Sequence, residues 1–262
     1  MREGLGFYVD GSGWLHRRNP VPKLLLLIWG VVAPFVFPPA YAFGLLVLAI
    51  LLGLLAELGR PFLRALFIAS ALLTTSIIVI NGFFFPGARD VLLAVGPFHL
   101  TREGLEFGLP IAARVVSAIA LTLAFVMSTR PDDLMEALID RGASPRFAFV
   151  VLSAIQTIPR MLDKASRILD AQRSRGLATE GRFAARARAI VPLLGPLVIG
   201  SLIDVRERSL ALEARAFGSS HQRTAYREVP IGDVDRRLIA IGMLLFAALP
   251  LVIAGRLAGL IR

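Results

Sequence analysis

Residues 24–56 read LLLLIWGVVAPFVFPPAYAFGLLVLAILLGLLA, a run of 33 residues without a single charge. A membrane-spanning helix needs about 20 predominantly apolar residues, so this run is too long for one span. The pair Pro38-Pro39 near its middle provides a natural turn. We therefore predict two closely spaced spans, at about 24–38 and 40–56.

Three further stretches have the same apolar character. A third span is predicted at about 65–85, where no residue is charged, and a fourth at about 107–127, where Arg114 is the one charge. The last is predicted within 238–262, which is charge-free as far as residue 254. These stretches predict an all-α integral membrane protein with about five transmembrane helices.

The composition supports this class. Hydrophobic residues make up 56% of the chain and charged residues only 18%, against about 45–50% and about 25% in soluble domains. This excludes a disordered chain and argues against an ordinary soluble enzyme. The chain has no cysteine, so thiolate chemistry, disulfides and Cys-ligated metals are excluded as well.

The positive charge is concentrated in one segment. Of 29 basic residues, 18 lie in 130–237, together with 13 acidic ones. By the positive-inside rule this segment is cytoplasmic, and four spans connect it to a basic N-terminus on the same side. We therefore divide the chain into an N-terminal membrane domain (1–129), a cytoplasmic helical module (130–237) and a C-terminal transmembrane helix (238–262), in the inner (cytoplasmic) membrane.

The cytoplasmic module is predicted to contain two long helices. The first begins at Ser144-Pro145 and ends before Gly176, and the second runs over about 183–217. The charge-free run 190–203 within the second helix is too short to span a bilayer. We expect it to pack against other helices or to lie in the membrane interface.

Both long helices end in similar motifs, Ser174-Arg175-Gly176 and Ala214-Arg215-Ala216. Helix capping alone explains either motif, because a cation in the last turn favours the helix dipole and a small residue beyond it suits the C-terminus. An arginine held at a helix tip is also a rigid fork for a carboxylate on another protein. Two such tips indicate a docking surface.

At these motifs the chain resembles the transmembrane T component (EcfT) of energy-coupling factor transporters, which are related to ABC transporters. The resemblance covers nearly the whole chain, and its two most specific motifs are the family's Ala-Arg-Gly sequences, each of which keeps the arginine here and differs at one small neighbour. The other matching stretches are Leu15-His16-Arg17-Arg18-Asn19-Pro20, Lys23-Leu24-Leu25, Pro131-Asp132-Asp133-Leu134 and Ile158-Pro159.

The resemblance implies a non-catalytic subunit that needs no cofactor. Two ABC-type ATPase subunits supply energy, a small membrane solute-binding (S) subunit captures a vitamin or metal ion, and the T component couples them. By this analogy Arg175 and Arg215 each contact a different ATPase. The chain itself lacks the glycine-rich Gly-Lys-Ser/Thr sequence of a P-loop, since its only lysines are Lys23 and Lys164.

The main alternative is a Mg-dependent membrane prenyltransferase-like enzyme. Asp132, Glu136 and Asp140 recur every four residues beside Asp133, and oxygen ligands with this spacing suit magnesium. The other acids are interleaved with arginines and form no second cluster, so we interpret these four as a solvated helix start. A permease that binds solute itself is the other alternative.

The remaining candidates suggest no further site. His16, His99 and His221 are far apart in the sequence and predict no metal site. The arginines follow membrane topology and lie beside acids, so they predict no nucleic-acid surface. Arg114, within the fourth span, is interpreted as structural because long arginine stems reach the interface.

Overall fold

The computed structural model describes residues 8–11, 13–86, 90–95, 98–176, 183–218 and 230–257. His221, parts of the cytoplasmic module (177–182 and 219–229) and the end of the last predicted span (258–262) lie outside the described residues. The chain divides into two compact units. We call Phe7–Leu138 with Arg227–Arg262 the membrane unit and Ile139–Tyr226 the arm unit.

The described residues form eight helices and one two-stranded antiparallel hairpin. The membrane unit contains α1 (Pro20–Val36), α2 (Pro39–Leu55), α3 (Gly59–Phe84), β1 (Val91–Val95), β2 (Phe98–Thr101), α4 (Arg102–Ser128), nearly all of α5 (Pro131–Ile139) and α8 (Asp233–Leu257). The arm unit contains α6 (Pro145–Ser174) and α7 (Phe183–Ala214). The chain is therefore an all-α membrane protein with a small hairpin.

Local signals determine where these helices begin and end. Asn19 caps α1 through its side-chain oxygen, which accepts from the Val21 N–H at 3.0 Å. Helix α1 ends before Phe37, and α2 begins at Pro39, so Pro38-Pro39 forms the predicted turn. Two helices in the described part of the chain, α3 and α4, are long and apolar enough to cross a membrane, while α1 and α2 are apolar with 17 residues each.

Two details differ from the prediction. No strand was predicted before α4, yet the residues there pair as the β1–β2 hairpin, in which Ala94 faces His99. Helix α4 begins at Arg102 and not near residue 107, so Arg114 lies near its middle, where it is partly buried and its Nε has no hydrogen-bond acceptor among the described residues.

Helix α4 is the centre of the membrane unit and packs against α1, α2 and α3. Its small residues permit close approach: a Cβ on Gly104 would collide with the Asn81 carbonyl of α3, and one on Gly108 would lie 3.0 Å from the Asn81 Cβ. Spaced small residues are typical of helix contacts inside a bilayer. Large side chains of α3 that point away from the contact, such as Phe67 and Leu72, are exposed.

The arm unit is a pair of antiparallel helices. Near the start of α6, Phe149 contacts Phe217, which follows α7, with ring centroids 5.0 Å apart. Further along α6, the Met161 sulfur lies 3.4 Å from the Ser201 hydroxyl. As the chain advances along α6, its partners therefore move backwards along α7. Ala148 is the one buried hydrophobic residue in the described part of this unit.

Candidate functional site

Arg175 and Arg215 occupy the same position relative to their helices. Arg175 is the C-cap of α6, and the following N–H, of Gly176, bonds to the Arg173 carbonyl at 2.9 Å. Arg215 directly follows α7, and the N–H of Ala216 bonds to the Glu213 carbonyl, also at 2.9 Å. The two motifs, which are similar in sequence, are therefore also similar in backbone structure.

The residue after each arginine adopts the left-handed conformation. Gly176 has φ +88° and Ala216 has φ +53°. At the second tip the Phe217 N–H reaches back to the Leu212 carbonyl at 2.9 Å, which completes a Schellman C-cap. Left-handed backbone is disfavoured for residues with a Cβ, so Ala216 is strained where Gly176 is not.

All six motif residues are exposed: Ser174, Arg175, Gly176, Ala214, Arg215 and Ala216. Neither motif arginine forms an ion pair with a residue that the structure describes. Arg173, two residues before Arg175, does form an ion pair, since its guanidinium lies 3.5 Å from the Asp170 carboxylate. Backbone hydrogen bonds thus hold each arginine at the end of its helix, and its guanidinium group lacks a carboxylate partner within the described chain.

The structure does not bring the two arginines together. Lys164 of α6 forms a 2.8 Å ion pair with Asp204 of α7, and each motif arginine lies eleven residues further along its own helix. Eleven helical residues extend about 16 Å, and the antiparallel helices extend in opposite directions. Arg175 and Arg215 are therefore roughly 30–40 Å apart, and the docking surface predicted from the sequence would consist of two separate tips.

Between the tips, both helices expose large apolar side chains. Five lie on α6, and seven lie on α7, mostly in or beside its charge-free run. They are Phe147, Val150, Ile155, Ile158, Leu162, Leu194, Val198, Ile199, Leu202, Ile203, Val205 and Leu210. Exposed apolar surface of this extent indicates contact with a protein or a membrane.

A second group of polar residues lies in the membrane unit and was not predicted from the sequence. The buried Lys23 of α1 donates to the Ser128 carbonyl at the end of α4, at 3.2 Å. Asp133 of α5 and Asp235 of α8 lie close enough to interact electrostatically with its ammonium group. We call Lys23, Ser128, Asp133 and Asp235 the lysine cluster. It joins the ends of four helices.

The N-terminal segment is attached beside this cluster. The Val9 N–H bonds to the Met127 carbonyl at 3.0 Å, and the Arg130 guanidinium lies 2.6 Å from the Asp10 carboxylate and 4.9 Å from the ring of Tyr8. These two groups raise the pKa of Arg130 through hydrogen bonds to its charged form. The N-terminal segment and the start of α1 thus meet the end of α4 at one end of the bundle.

The four acidic residues that suggested a Mg-dependent enzyme do not form a metal centre. Among the described residues, no group of three or more His, Asp or Glu side chains could hold an ion. Asp132, Asp133 and Glu136 lie on α5, while Asp140 follows its end. Asp133 faces Lys23. The four residues are thus divided between a helix start and an interhelical contact.

Comparison with known proteins supports the same family. The family model described as CbiQ, cobalt transport protein, matches residues 11–226. Among similar proteins, the energy-coupling factor transporter transmembrane protein EcfT of Thermosediminibacter oceani is 30% identical, with 93% of this chain and 96% of the relative covered. The EcfT of Listeria innocua is 29% identical (85% and 88% covered), and that of Leuconostoc gelidum is 27% identical (88% and 90% covered). The chain therefore belongs to the family of CbiQ cobalt transport proteins and EcfT energy-coupling factor transmembrane components.

Proposed function

We propose that this chain is the coupling subunit of an energy-coupling factor importer and transmits ATP hydrolysis by two partner ATPases to a separate solute-binding membrane subunit, for uptake of a vitamin or metal ion. The observation that carries the proposal is the pair of exposed arginine tips roughly 30–40 Å apart. One ATPase groove would not accommodate both tips, whereas two ATPases would receive one each. The chain itself catalyses no reaction.

The electrostatics favour an acidic groove on each ATPase. A guanidinium group binds a carboxylate through two parallel hydrogen bonds, and the helix caps hold Arg175 and Arg215 at defined positions. Closure of the ATPases on ATP would pull on both tips together. Because α6 and α7 are joined by the Lys164–Asp204 ion pair, movement of one tip would be transmitted to the other helix.

The exposed apolar faces of α6 and α7 support a second contact, with the solute-binding subunit. We infer that they pack against the solute-binding subunit, since the arm unit has almost no core of its own in the described residues and such a surface requires cover. The proposed topology places the N-terminus and the arm unit in the cytoplasm, with the chain in the inner membrane, in accord with the basic residues of 130–237.

Co-purification tests the proposal. The full transporter is expressed with a tag on this chain carrying R175E, R215E or the control R173E, and the ATPases recovered are quantified together with solute uptake. R175E and R215E should each reduce recovery of one ATPase and abolish uptake, because a carboxylate would face an acidic groove. R173E, whose guanidinium pairs with Asp170, should retain both. Normal assembly and uptake with both tip variants would contradict the proposal.

A further inference from the structure

A groove in the membrane unit is unused by the proposed function. Its volume is about 310 Å³, and apolar side chains from α1, α2 and α4 form its walls, namely Leu26, Leu27, Leu48, Leu52, Leu121 and Phe125. The α2 pair and the α4 pair are each four residues apart, so each follows one helix face. The groove therefore runs along the helices, which is the direction of an acyl chain in a bilayer.

One end of the groove is basic. Arg18 and Lys23 line it there, together with Trp14. The Arg18 guanidinium lies over the Trp14 ring at 5.1 Å, and its buried Nε–H has no acceptor among the described residues. Lys23 already interacts with the carboxylates of the lysine cluster. Arg18, which forms no ion pair with any described residue, therefore provides the charge available for a ligand.

This arrangement matches the chemistry of a phospholipid. Guanidinium groups bind phosphate through paired hydrogen bonds, tryptophan is enriched at the depth of lipid headgroups, and basic pockets between transmembrane helices on the cytoplasmic side bind anionic headgroups. Arg18 lies two residues before α1, next to its N-cap Asn19, and the wall leucines of α1, Leu26 and Leu27, lie about two turns into that helix. The basic end is thus at headgroup depth and the apolar walls are at acyl depth.

We propose that this groove binds an anionic phospholipid of the cytoplasmic leaflet, with its phosphate on Arg18 and one acyl chain along Leu48, Leu52 and Leu121. The proposal rests on the topology given under the proposed function, which places the start of α1 on the cytoplasmic side. A bound lipid would fill the space between α1, α2 and α4 beside the lysine cluster.

Native mass spectrometry of the full chain tests the proposal. The purified, delipidated protein is titrated with dioleoylphosphatidylglycerol, with dioleoylphosphatidylcholine, and with glycerol phosphate, which has the anionic headgroup without acyl chains. One tightly bound phosphatidylglycerol is expected. R18Q should weaken its binding about tenfold, the effect of one lost charge-assisted hydrogen bond, while R17Q at the adjacent exposed position should leave it unchanged.

A second pair of variants tests the apolar walls. Leu48 and Leu51 of α2 are equally exposed, at 50% and 49%, but only Leu48 lines the groove. L48W should fill the groove and displace the lipid, whereas L51W should not. The proposal would be overturned if phosphatidylcholine bound as tightly as phosphatidylglycerol, or if glycerol phosphate bound and phosphatidylglycerol did not. Equal effects of R17Q and R18Q on phosphatidylglycerol binding would overturn it as well.

The same variants distinguish the lipid from a protein occupant of the groove. If phosphatidylglycerol does not bind and L48W instead reduces co-purification of the solute-binding subunit, the groove receives a helix of that subunit and the lipid proposal is wrong. Because the lipid titration uses this chain alone, its failure leaves the ATPase contacts of Arg175 and Arg215 untouched. If the proposed ATPase contacts of Arg175 and Arg215 were wrong, only the co-purification experiment would show it.

Discussion

Lys164 of α6 and Asp204 of α7 form a 2.8 Å ion pair at the point from which the two motif arginines are equally distant in sequence. Both side chains are partly exposed, at 27% and 50%, so the pair adds less than about 1 kcal/mol to stability. Its importance is geometric. Together with the Phe149–Phe217 and Met161–Ser201 contacts, it marks the register of two antiparallel helices and therefore the separation of their tips.

The separation of the tips can be measured directly. Because the chain has no cysteine, S174C and A214C provide unique sites for two nitroxide labels. Pulsed electron paramagnetic resonance should give a distance distribution centred at roughly 30–40 Å, from 1.5 Å per residue along each helix. A label pair at S174C and L210C, about one turn further in, is the matched control and should give a slightly shorter distance. A distance below about 20 Å, which parallel helices would give, would contradict the antiparallel pairing.

The strain at Ala216 predicts a stabilising substitution. Ala216, one residue beyond the C-cap of α7, has φ +53°, a conformation in which glycine avoids a penalty of about 1 kcal/mol. A216G should therefore slow amide hydrogen exchange in the last turn of α7. The matched control is G176A at the other tip, where φ is +88°, and it should accelerate exchange at the end of α6. Faster exchange in A216G would contradict the left-handed conformation of Ala216.

The lysine cluster predicts a large loss of stability from one side chain. K23M removes the positive charge near Asp235, which is only 3% exposed, and leaves the Ser128 carbonyl without its donor. We expect a cost on the order of 2–3 kcal/mol, seen as a lower midpoint of thermal unfolding in detergent. Adding D235N should recover part of this loss, because it removes the unpaired buried charge.

The other lysine serves as the control for this measurement. K164M removes a partly exposed lysine in the arm unit and should lower the unfolding midpoint much less. If K23M and K164M were equally stable, the lysine cluster would contribute nothing to the packing of the membrane unit.

Close packing of α3 and α4 predicts a further contrast. G104A introduces a Cβ against the Asn81 carbonyl, and because backbone cannot move aside cheaply we expect a loss of about 1–3 kcal/mol. G44A on α2 meets no atom within 4 Å and should be neutral or slightly stabilising, since alanine favours helix. The measurement is the thermal unfolding midpoint of both variants, and similar values would refute the close α3–α4 contact.

Some of the fold could be predicted because its signals are local. Pro38-Pro39 separates α1 from α2, Pro145 begins α6, and Gly176 ends it, since each residue restricts or frees its own backbone dihedral angles. The two tip motifs were also recognisable from the sequence. The hairpin before α4 was missed, although Gly96-Pro97 marks a turn in the sequence, because its strands have only five and four residues.

The lysine cluster could not have been found in the same way. Lys23 and Asp235 are more than 200 residues apart, and no short-range pattern relates them. A single lysine just before an apolar span is expected anyway from the positive-inside rule. The structure gives it a specific role by placing Ser128 and Asp133 beside it.

The membrane class, the positions of most helices and the location of the two arginines at helix ends could therefore be predicted from the sequence, because hydrophobic run length, charge distribution and helix capping act over a few neighbouring residues. The antiparallel pairing of α6 and α7, and with it the distance between Arg175 and Arg215, follows from the folded chain and not from any local pattern. That outcome depends on contacts such as Lys164 with Asp204, forty residues apart, and on side-chain packing that no local pattern encodes.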